Sequence, residues 1–167
     1  DIDTSPQELF GVTGASVDLA WQITTGRPDV VIAVLDSGIR WHRRLPDLVA
    51  KFYLNRGELP VPEGSQNTYD RWDRNGDGVF NVRDYEASEG FAADSRVRDA
   101  NGNGMLDPED LIFLFSDGVD DDGNGFPDDI SGWDFFEDDN DPLDEVDYGH
   151  GTGEAHDSGA EANNGGS

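Results

Sequence analysis

The chain contains no cysteine, so disulfide bonds and thiol chemistry contribute nothing to its fold or function. It also contains no apolar run of 18 residues, which excludes a membrane-spanning helix. No signal-peptide pattern is present, and the sequence begins at Asp1 rather than at a methionine. We therefore expect a mature or excised segment from which a leader has been removed.

Basic residues are few and unevenly distributed. The 167 residues include 11 Lys and Arg against 37 Asp and Glu, and residues 99–167 contain no basic residue. The net charge of −26 opposes compaction unless cations neutralise it, and it makes nucleic acid and anionic membranes poor partners. A disordered acidic tail is the alternative interpretation. Hydrophobic residues spaced through 99–141 argue against it.

The first sixty residues have the pattern of an α/β fold. Residues 30–35 form an unbroken apolar run, which predicts a strand buried on both faces of a parallel sheet. Ser16 is a candidate N-cap for a helix over 17–23, and residues 49–54 are expected to pack beside the strand. Asp36 directly follows the strand, at the position where open α/β sheets form their sites.

Short acidic loops recur in the middle of the chain. Two segments, beginning at Asp73 and Asp99, fit a twelve-residue calcium loop of the EF-hand type. Each has oxygen-bearing side chains at positions 1, 3 and 5, Gly at position 6, a backbone carbonyl ligand at position 7 and a carboxylate at position 12. The predicted ligands are Asp73, Asn75, Asp77, Val79 and Asp84 in the first loop, and Asp99, Asn101, Asn103, Met105 and Asp110 in the second.

A third acidic segment matches the pattern in part and resembles the calcium loops of thrombospondin type-3 repeats. A single Asn-Gly could equally be a hairpin turn, but three such loops close together favour Ca²⁺ as a cofactor. The first two loops have Asp rather than Glu at position 12, and no helix-like sequence precedes Asp73, so they resemble dockerin repeats. The predicted ligands in the third loop are Asp120, Asp122, Asn124 and Asp128.

A histidine lies in a Gly-rich segment late in the chain, Gly149-His150-Gly151-Thr152. Small neighbours allow a backbone to approach the imidazole, which a packed core histidine would not need. The order Asp36, then His150, then a serine still to come is the subtilisin order of the catalytic triad. Asp36 could otherwise be a helix cap, a salt-bridge partner, or half of an aspartic-protease pair with the second Asp-Ser-Gly at 157–159.

Together, the Asp-Ser-Gly and His-Gly-Thr segments resemble the subtilisin-like serine proteases. Pro46-Asp47-Leu48 and the stretch from 120 to 136 agree with that family as well. The resemblance implies an α/β fold with a subtilisin-like parallel sheet, of which residues 1–60 and 117–167 are the N-terminal portion. Residues 61–116 are then an inserted calcium-binding subdomain with EF-hand-like repeats.

The resemblance also implies roles for the two motif residues. Asp36 would accept a hydrogen bond from His150 Nδ1, and His150 Nε2 would exchange a proton with a serine. No Gly-Thr-Ser-Met-Ala-like segment occurs in the 167 residues, so the chain alone is expected to be inactive. Its partner would be the missing C-terminal part of the same peptidase domain. Glu154, one turn after His150, departs from the family pattern. It could raise the pKa of His150 or face solvent, and we expect it to face solvent.

The sequence therefore predicts the N-terminal portion of a calcium-dependent, subtilisin-like serine endopeptidase that acts on protein or peptide substrates. The family resemblance and the calcium loops together predict secretion, from a bacterial source. Two alternatives remain open: a non-catalytic, dockerin-like calcium module that binds a partner protein, and a degenerate subtilase retained as a scaffold.

Overall fold

The structure is a computed structural model that describes part of the chain. The described residues are 19–20, 22–24, 26–41, 46–144 and 149–160. Of the helix predicted over 17–23, residues 17, 18 and 21 lie outside them, while residues 19 and 20 are helical and residues 22 and 23 form a turn. The chain divides into two units, Asp1–Val31 and Ile32–Ser167, and both sequence motifs belong to the second.

Regular secondary structure is sparse in the described part of the second unit. It consists of a short 3-10 helix, Val82–Asp84, and two α-helices, α1 over Pro108–Phe115 and α2 over His150–Gly159. Neither α-helix is long and apolar enough to cross a membrane. Pairing between extended segments is limited to isolated bridges, Ile39 with Leu143 in parallel, and Ser88 with Phe91 and Asp134 with Asp139 in antiparallel orientation.

The apolar run at 30–35 does not show the predicted burial. It forms no strand within the described part of the chain, and the side chains of Ile32 and Leu35 are 59% and 88% exposed. A strand becomes buried on both faces only when neighbouring strands and covering helices surround it. The described residues supply neither, and the parallel sheet remains a prediction.

The core lies instead among the acidic loops. Val49 and Leu54, which were expected to pack beside the strand, are buried in this core. Residues on both sides of the predicted boundary at position 60 contribute to it. Its buried members are Val49, Leu54, Leu59, Val82, Tyr85, Leu111, Ile112 and Ile130.

The 3-10 helix and α1, which follow the first and second acidic loops, begin in the same way. Asp107 caps α1 by accepting hydrogen bonds from Glu109 N–H and Asp110 N–H. The carboxylate of Asp110 in turn accepts a hydrogen bond from Asp107 N–H. Asn81 and Asp84 form the same capping box at the 3-10 helix. These residues occupy positions 9 and 12 of their loops, so each loop's last carboxylate also starts a helix. The local sequence therefore joins each loop to a segment that packs Val82 or Leu111 into the core.

The core predicts how substitutions in α1 affect stability. Leu111 is fully buried, whereas Phe113 on the same helix is 53% exposed. Leu111→Ala should lower the free energy of unfolding by about 2–5 kcal/mol because it leaves a cavity. Phe113→Ala is the matched control and should change it by only about 0.5 kcal/mol. Urea unfolding measures both values, and equal effects of the two variants would contradict this assignment of the core.

Candidate functional site

Asp36 and His150 are in direct contact although 114 residues separate them in the sequence. Nδ1 of His150 lies 2.8 Å from both carboxylate oxygens of Asp36. The backbone N–H of Ser37 donates to Oδ1 of the same carboxylate at 2.7 Å. Because an ionised carboxylate only accepts hydrogen bonds, this contact assigns the proton to Nδ1 of His150.

Three short segments bring the two side chains together. The parallel bridge of Ile39 with Leu143 is made by Ile39 N–H donating to Pro142 O at 2.8 Å and Asp144 N–H donating to Ile39 O at 2.9 Å. Helix α2 begins at His150 itself, directly after Gly149. Arg40 N–H donates to Thr152 Oγ1 at 3.0 Å, which ties the first turn of α2 to the segment that follows Asp36.

Two glycines allow these backbones to approach so closely. A Cβ on Gly151 would lie 2.4 Å from Gly38 O and 3.2 Å from Asp36 Cβ. Gly38 has φ +107, and a Cβ there would lie 2.6 Å from Pro142 O. Side chains at these positions cannot be accommodated without moving the backbone. Gly153, one turn along from Gly149, has open space around it and is not constrained in this way.

The electrostatics of the pair favour an ion pair. The Ser37 N–H, and then the hydrogen bond from His150, hold the pKa of Asp36 below its ordinary value. The hydrogen bond and negative charge of Asp36 raise the pKa of His150, and the charges of Glu154 and Asp144 act in the same direction. Glu154 is exposed, as expected, yet its Oε1 lies 3.7 Å from His150 Nε2.

The first residues of the three acidic loops make the same hydrogen bonds. The carboxylates of Asp73, Asp99 and Asp120 each accept from the backbone N–H groups three and five residues further on, at 2.7–3.1 Å. The oxygens at positions 3 and 5 each accept from the N–H two residues on, in all three loops. The Gly at position 6 has φ +88, +93 and +97 in turn. The three sequence matches are therefore three copies of one loop conformation.

The last carboxylates of the first two loops are also equivalent. Asp84 and Asp110 are almost fully buried, and each accepts backbone hydrogen bonds from positions 2, 3 and 9 of its own loop. The shorter Asp in place of Glu at position 12 thus closes the loop on its own backbone. Val79 and Met105, whose backbone carbonyls are the predicted ligands at position 7, directly follow the Gly that makes the turn.

The third loop is completed by Glu58, a residue that no sequence pattern indicates. Ligand oxygens of Glu58, Asp120 and Asp122 all lie within 4.8 Å of one another, the only such acidic group in the described part of the chain. Glu58 is 5% exposed and accepts from Asp122 N–H and Asp128 N–H, both at 3.0 Å. Ca²⁺ binds oxygens at 2.3–2.6 Å, so two ligands on opposite sides of the ion lie about 5 Å apart, and this group fits it.

Asp128, predicted as a ligand of the third loop, lies outside this group. Its carboxylate accepts from Asp117 N–H at 3.0 Å and Gly118 N–H at 2.7 Å, in the turn before the loop. Asn124 remains at its predicted position, with Oδ1 accepting from Phe126 N–H. Asp128 was predicted as a ligand because it closely follows the loop. In the structure its carboxylate instead holds the turn that precedes the loop.

Three buried carboxylates in or next to the first two loops have raised pKa values. Burial raises the pKa of Asp107 and of Asp84, and it raises the pKa of Glu109 to about 7, with further contributions from Asp107 and other acids. Crowding like charges away from water is unfavourable, and a bound cation would relieve it.

A scan against protein-family models found no match, and searches among curated proteins and solved structures found no similar protein. The contacts of the Asp36–His150 pair and of the acidic loops are therefore the basis for assigning a function.

The contact between the two motif residues predicts a titration. Asp36→Asn should lower the pKa of His150 towards its ordinary value of 6.5, because the asparagine amide carries no charge. NMR titration of the imidazole C2–H signals measures this shift. Asp157→Asn, which alters the second Asp-Ser-Gly, is the matched control and should leave His150 unchanged. An unchanged His150 titration in Asp36→Asn would contradict the contact.

The same contact predicts how the stability contribution of the pair depends on pH. The raised pKa of His150 means that its contribution is complete below its unfolded pKa and is lost as pH rises through the folded value. The lowered pKa of Asp36 means that its contribution is lost as pH falls through the folded value. The pair therefore contributes most between these two limits.

Proposed function

We propose that this chain provides the Asp–His pair of a subtilisin-like serine endopeptidase, in which Asp36 orients His150 and His150 acts as the general base. The observation that supports this most strongly is the contact of His150 Nδ1 with both oxygens of Asp36 at 2.8 Å. A carboxylate that follows an exposed apolar segment and a histidine at the start of a helix, far apart in sequence, have no structural need to meet. The order of the two residues along the chain agrees with the same assignment.

The chemistry follows from the tautomer. With its proton held on Nδ1 by Asp36, neutral His150 has its lone pair on Nε2. A serine hydroxyl placed at Nε2 gives its proton to the ring while its oxygen bonds to the peptide carbonyl carbon. His150 then returns that proton to the leaving amine as the peptide C–N bond breaks. The negative charge of Asp36 stabilises the imidazolium that exists between these two steps.

The nucleophile belongs to another part of the peptidase domain in this proposal, because the chain has no Gly-Thr-Ser-Met-Ala-like segment. The exposed apolar run at 30–35 supports a larger domain. Its large apolar side chains lie next to Asp36 and are solvent-exposed, and burial beneath further strands and helices would stabilise it by the hydrophobic effect. Secretion and a protein or peptide substrate are parts of the same proposal.

Calcium is the second component of the proposal. The oxygens of Asp73, Asn75, Asp77 and Asp84, and those of Asp99, Asn101, Asn103 and Asp110, would hold one ion in each of the first two loops. Glu58, Asp120, Asp122 and Asn124 would hold a third. Bound Ca²⁺ supplies positive charge to a chain of net charge −26 and replaces repulsion between the loop carboxylates by attraction.

One contact supports a connection between the second loop and the Asp–His pair. Asn103 Nδ2–H donates to Trp41 O at 2.9 Å, while Oδ1 of the same amide accepts from Met105 N–H. Trp41 directly follows Arg40, whose N–H binds Thr152 at the start of α2. An ion that fixes the Asn103 amide would therefore also fix the backbone beside the pair.

A non-catalytic calcium module is the second candidate. It is favoured by the position of the core, which lies among the acidic loops rather than around the Asp–His pair. In that case the loops would present a surface to a partner protein, and His150 would act only as an ion-pair partner of Asp36. The activity measurement below distinguishes the two candidates.

Peptide hydrolysis tests the proposed activity. The protein expressed from its complete reading frame should hydrolyse peptide bonds, and Asp36→Asn should lower kcat by about 10⁴-fold because the asparagine favours the wrong tautomer of His150. Asp157→Asn, with the same change in charge, should retain full activity. If the complete protein has no hydrolytic activity, or if Asp36→Asn retains it, the endopeptidase assignment is wrong and the calcium module is favoured.

Calcium removal tests the metal sites on this chain alone. Each site held at about a hundred times its dissociation constant contributes about 2.7 kcal/mol to the free energy of unfolding, so EDTA should lower Tm markedly and excess Ca²⁺ should restore it. Glu58→Gln should reduce the stabilisation by Ca²⁺. Asp121→Asn removes the same charge from an exposed position of the third loop and is the control. A Tm that EDTA leaves unchanged would refute the metal sites.

A further inference from the structure

A buried carboxylate, Asp144, lies next to the Asp-Ser-Gly segment that carries Asp36. Asp144 is 1% exposed, and its Oδ2 accepts a hydrogen bond from Ser37 Oγ–H at 3.2 Å. Its own backbone N–H donates to Ile39 O at 2.9 Å, within the parallel bridge that follows the Asp-Ser-Gly segment. The bridge therefore fixes the place of Asp144 relative to Ser37.

The hydroxyl of Ser37 connects Asp144 to helix α2. Because Asp144 can only accept, the Ser37 hydroxyl proton points towards it, and the oxygen lone pairs of Ser37 remain available on the other side. One of them accepts the backbone N–H of Gly151 at 3.1 Å. Gly151 directly follows His150, and its N–H is among those at the start of α2 that have no partner within the helix.

The same serine also holds Asp36, since Ser37 N–H donates to Asp36 Oδ1 at 2.7 Å. One residue therefore contacts both sides of the pair: its N–H, and to a smaller extent its hydroxyl, lower the pKa of Asp36, and its hydroxyl also binds the start of α2. The backbones of Gly38 and Gly151 are so close that no side chain fits between them. The hydroxyl of Ser37 is the polar link that joins the two segments at this point.

We propose that Asp144 is a positioning residue for the Asp36–His150 pair, acting through the hydroxyl of Ser37 on the N-terminal turn of α2. The inference depends on the proposed function for its catalytic meaning, because the pair matters to a reaction only if His150 is a base. Without the hydrogen bonds that join Asp144, Ser37 and Gly151, the bond from Arg40 N–H to Thr152 would remain, but the first turn of α2 would lose its contact with the residue next to Asp36. Positioning errors of about 1 Å cost a catalytic step up to about 10²-fold.

The charge of Asp144 must be separated from its positioning role. Among the described residues, the charged groups around His150 are Asp36, Glu154 and Asp144, with Arg40 beside Gly149. Asp144→Asn removes a charge and weakens the acceptor for Ser37 at the same time. Ser37→Ala removes only the hydroxyl and leaves every charge and the Ser37 N–H bond to Asp36 in place. It is therefore the more informative variant.

The test measures the His150 titration by NMR on this chain. Ser37→Ala and Asp144→Asn should both lower the pKa of His150, and Ser37→Thr, which keeps the hydroxyl, should restore it. Ser158→Ala is the matched control, because Ser158 occupies the same place in the second Asp-Ser-Gly and its hydroxyl binds Glu154 O within α2. In the complete protein, Ser37→Ala should lower kcat with little change in KM.

Each other outcome contradicts the inference. If only Asp144→Asn lowers the pKa of His150, then Asp144 acts through its charge and positions nothing. If neither variant changes the pKa of His150, the hydrogen bonds from Asp144 through Ser37 to Gly151 have no influence on the pair. Should Asp144→Asn fail to fold by circular dichroism, Ser37→Ala and Ser37→Thr decide the matter alone. An inactive complete protein would refute the proposed function, while the NMR comparison would still decide the positioning role.

Discussion

The hydrogen bond between Asp36 and His150 is the interaction on which the functional account depends, and it exists because three backbones pack without side chains between them. Gly38 fits against Pro142, and Gly151 fits against Gly38. The parallel bridge of Ile39 with Leu143 sets the relative position of the segments. The pair is thus held by backbone geometry and by hydrogen bonds from Ser37, rather than by burial, since the His150 side chain is half exposed.

Carboxylates have two different uses in this molecule. At the first and last positions of the acidic loops they accept backbone N–H groups and fix the conformation of the chain. The same oxygens, with Glu58 added in the third loop, have the chemistry that Ca²⁺ requires. This double use explains how a chain of net charge −26 can pack a core among its acidic loops, because each carboxylate predicted as a calcium ligand accepts a backbone hydrogen bond before any ion binds. The added cation then offsets the remaining repulsion.

The parts of the structure that were predictable from sequence are those set by local interactions. The hydrogen bonds of Asp73, Asp99 and Asp120 reach only three to five residues along the chain, so a spacing pattern was enough to identify the loops. Glu58 lies more than sixty residues before the loop that it completes, and no local pattern indicates it. Asp144 is 107 residues away from Ser37, and no local pattern indicates it either. The burial predicted for residues 30–35 depends on neighbouring strands, which an apolar run does not supply by itself.

Covalent labelling tests most directly whether His150 is the base of a serine hydrolase. A fluorophosphonate reagent phosphonylates only a serine whose hydroxyl is activated by a neighbouring base. The complete protein should be labelled on one serine, identified by mass spectrometry, and His150→Ala should abolish the adduct. His156→Ala, which removes the other described histidine of α2, should leave it intact. Absence of an adduct in the wild-type protein, or equal labelling of His150→Ala, would contradict the account.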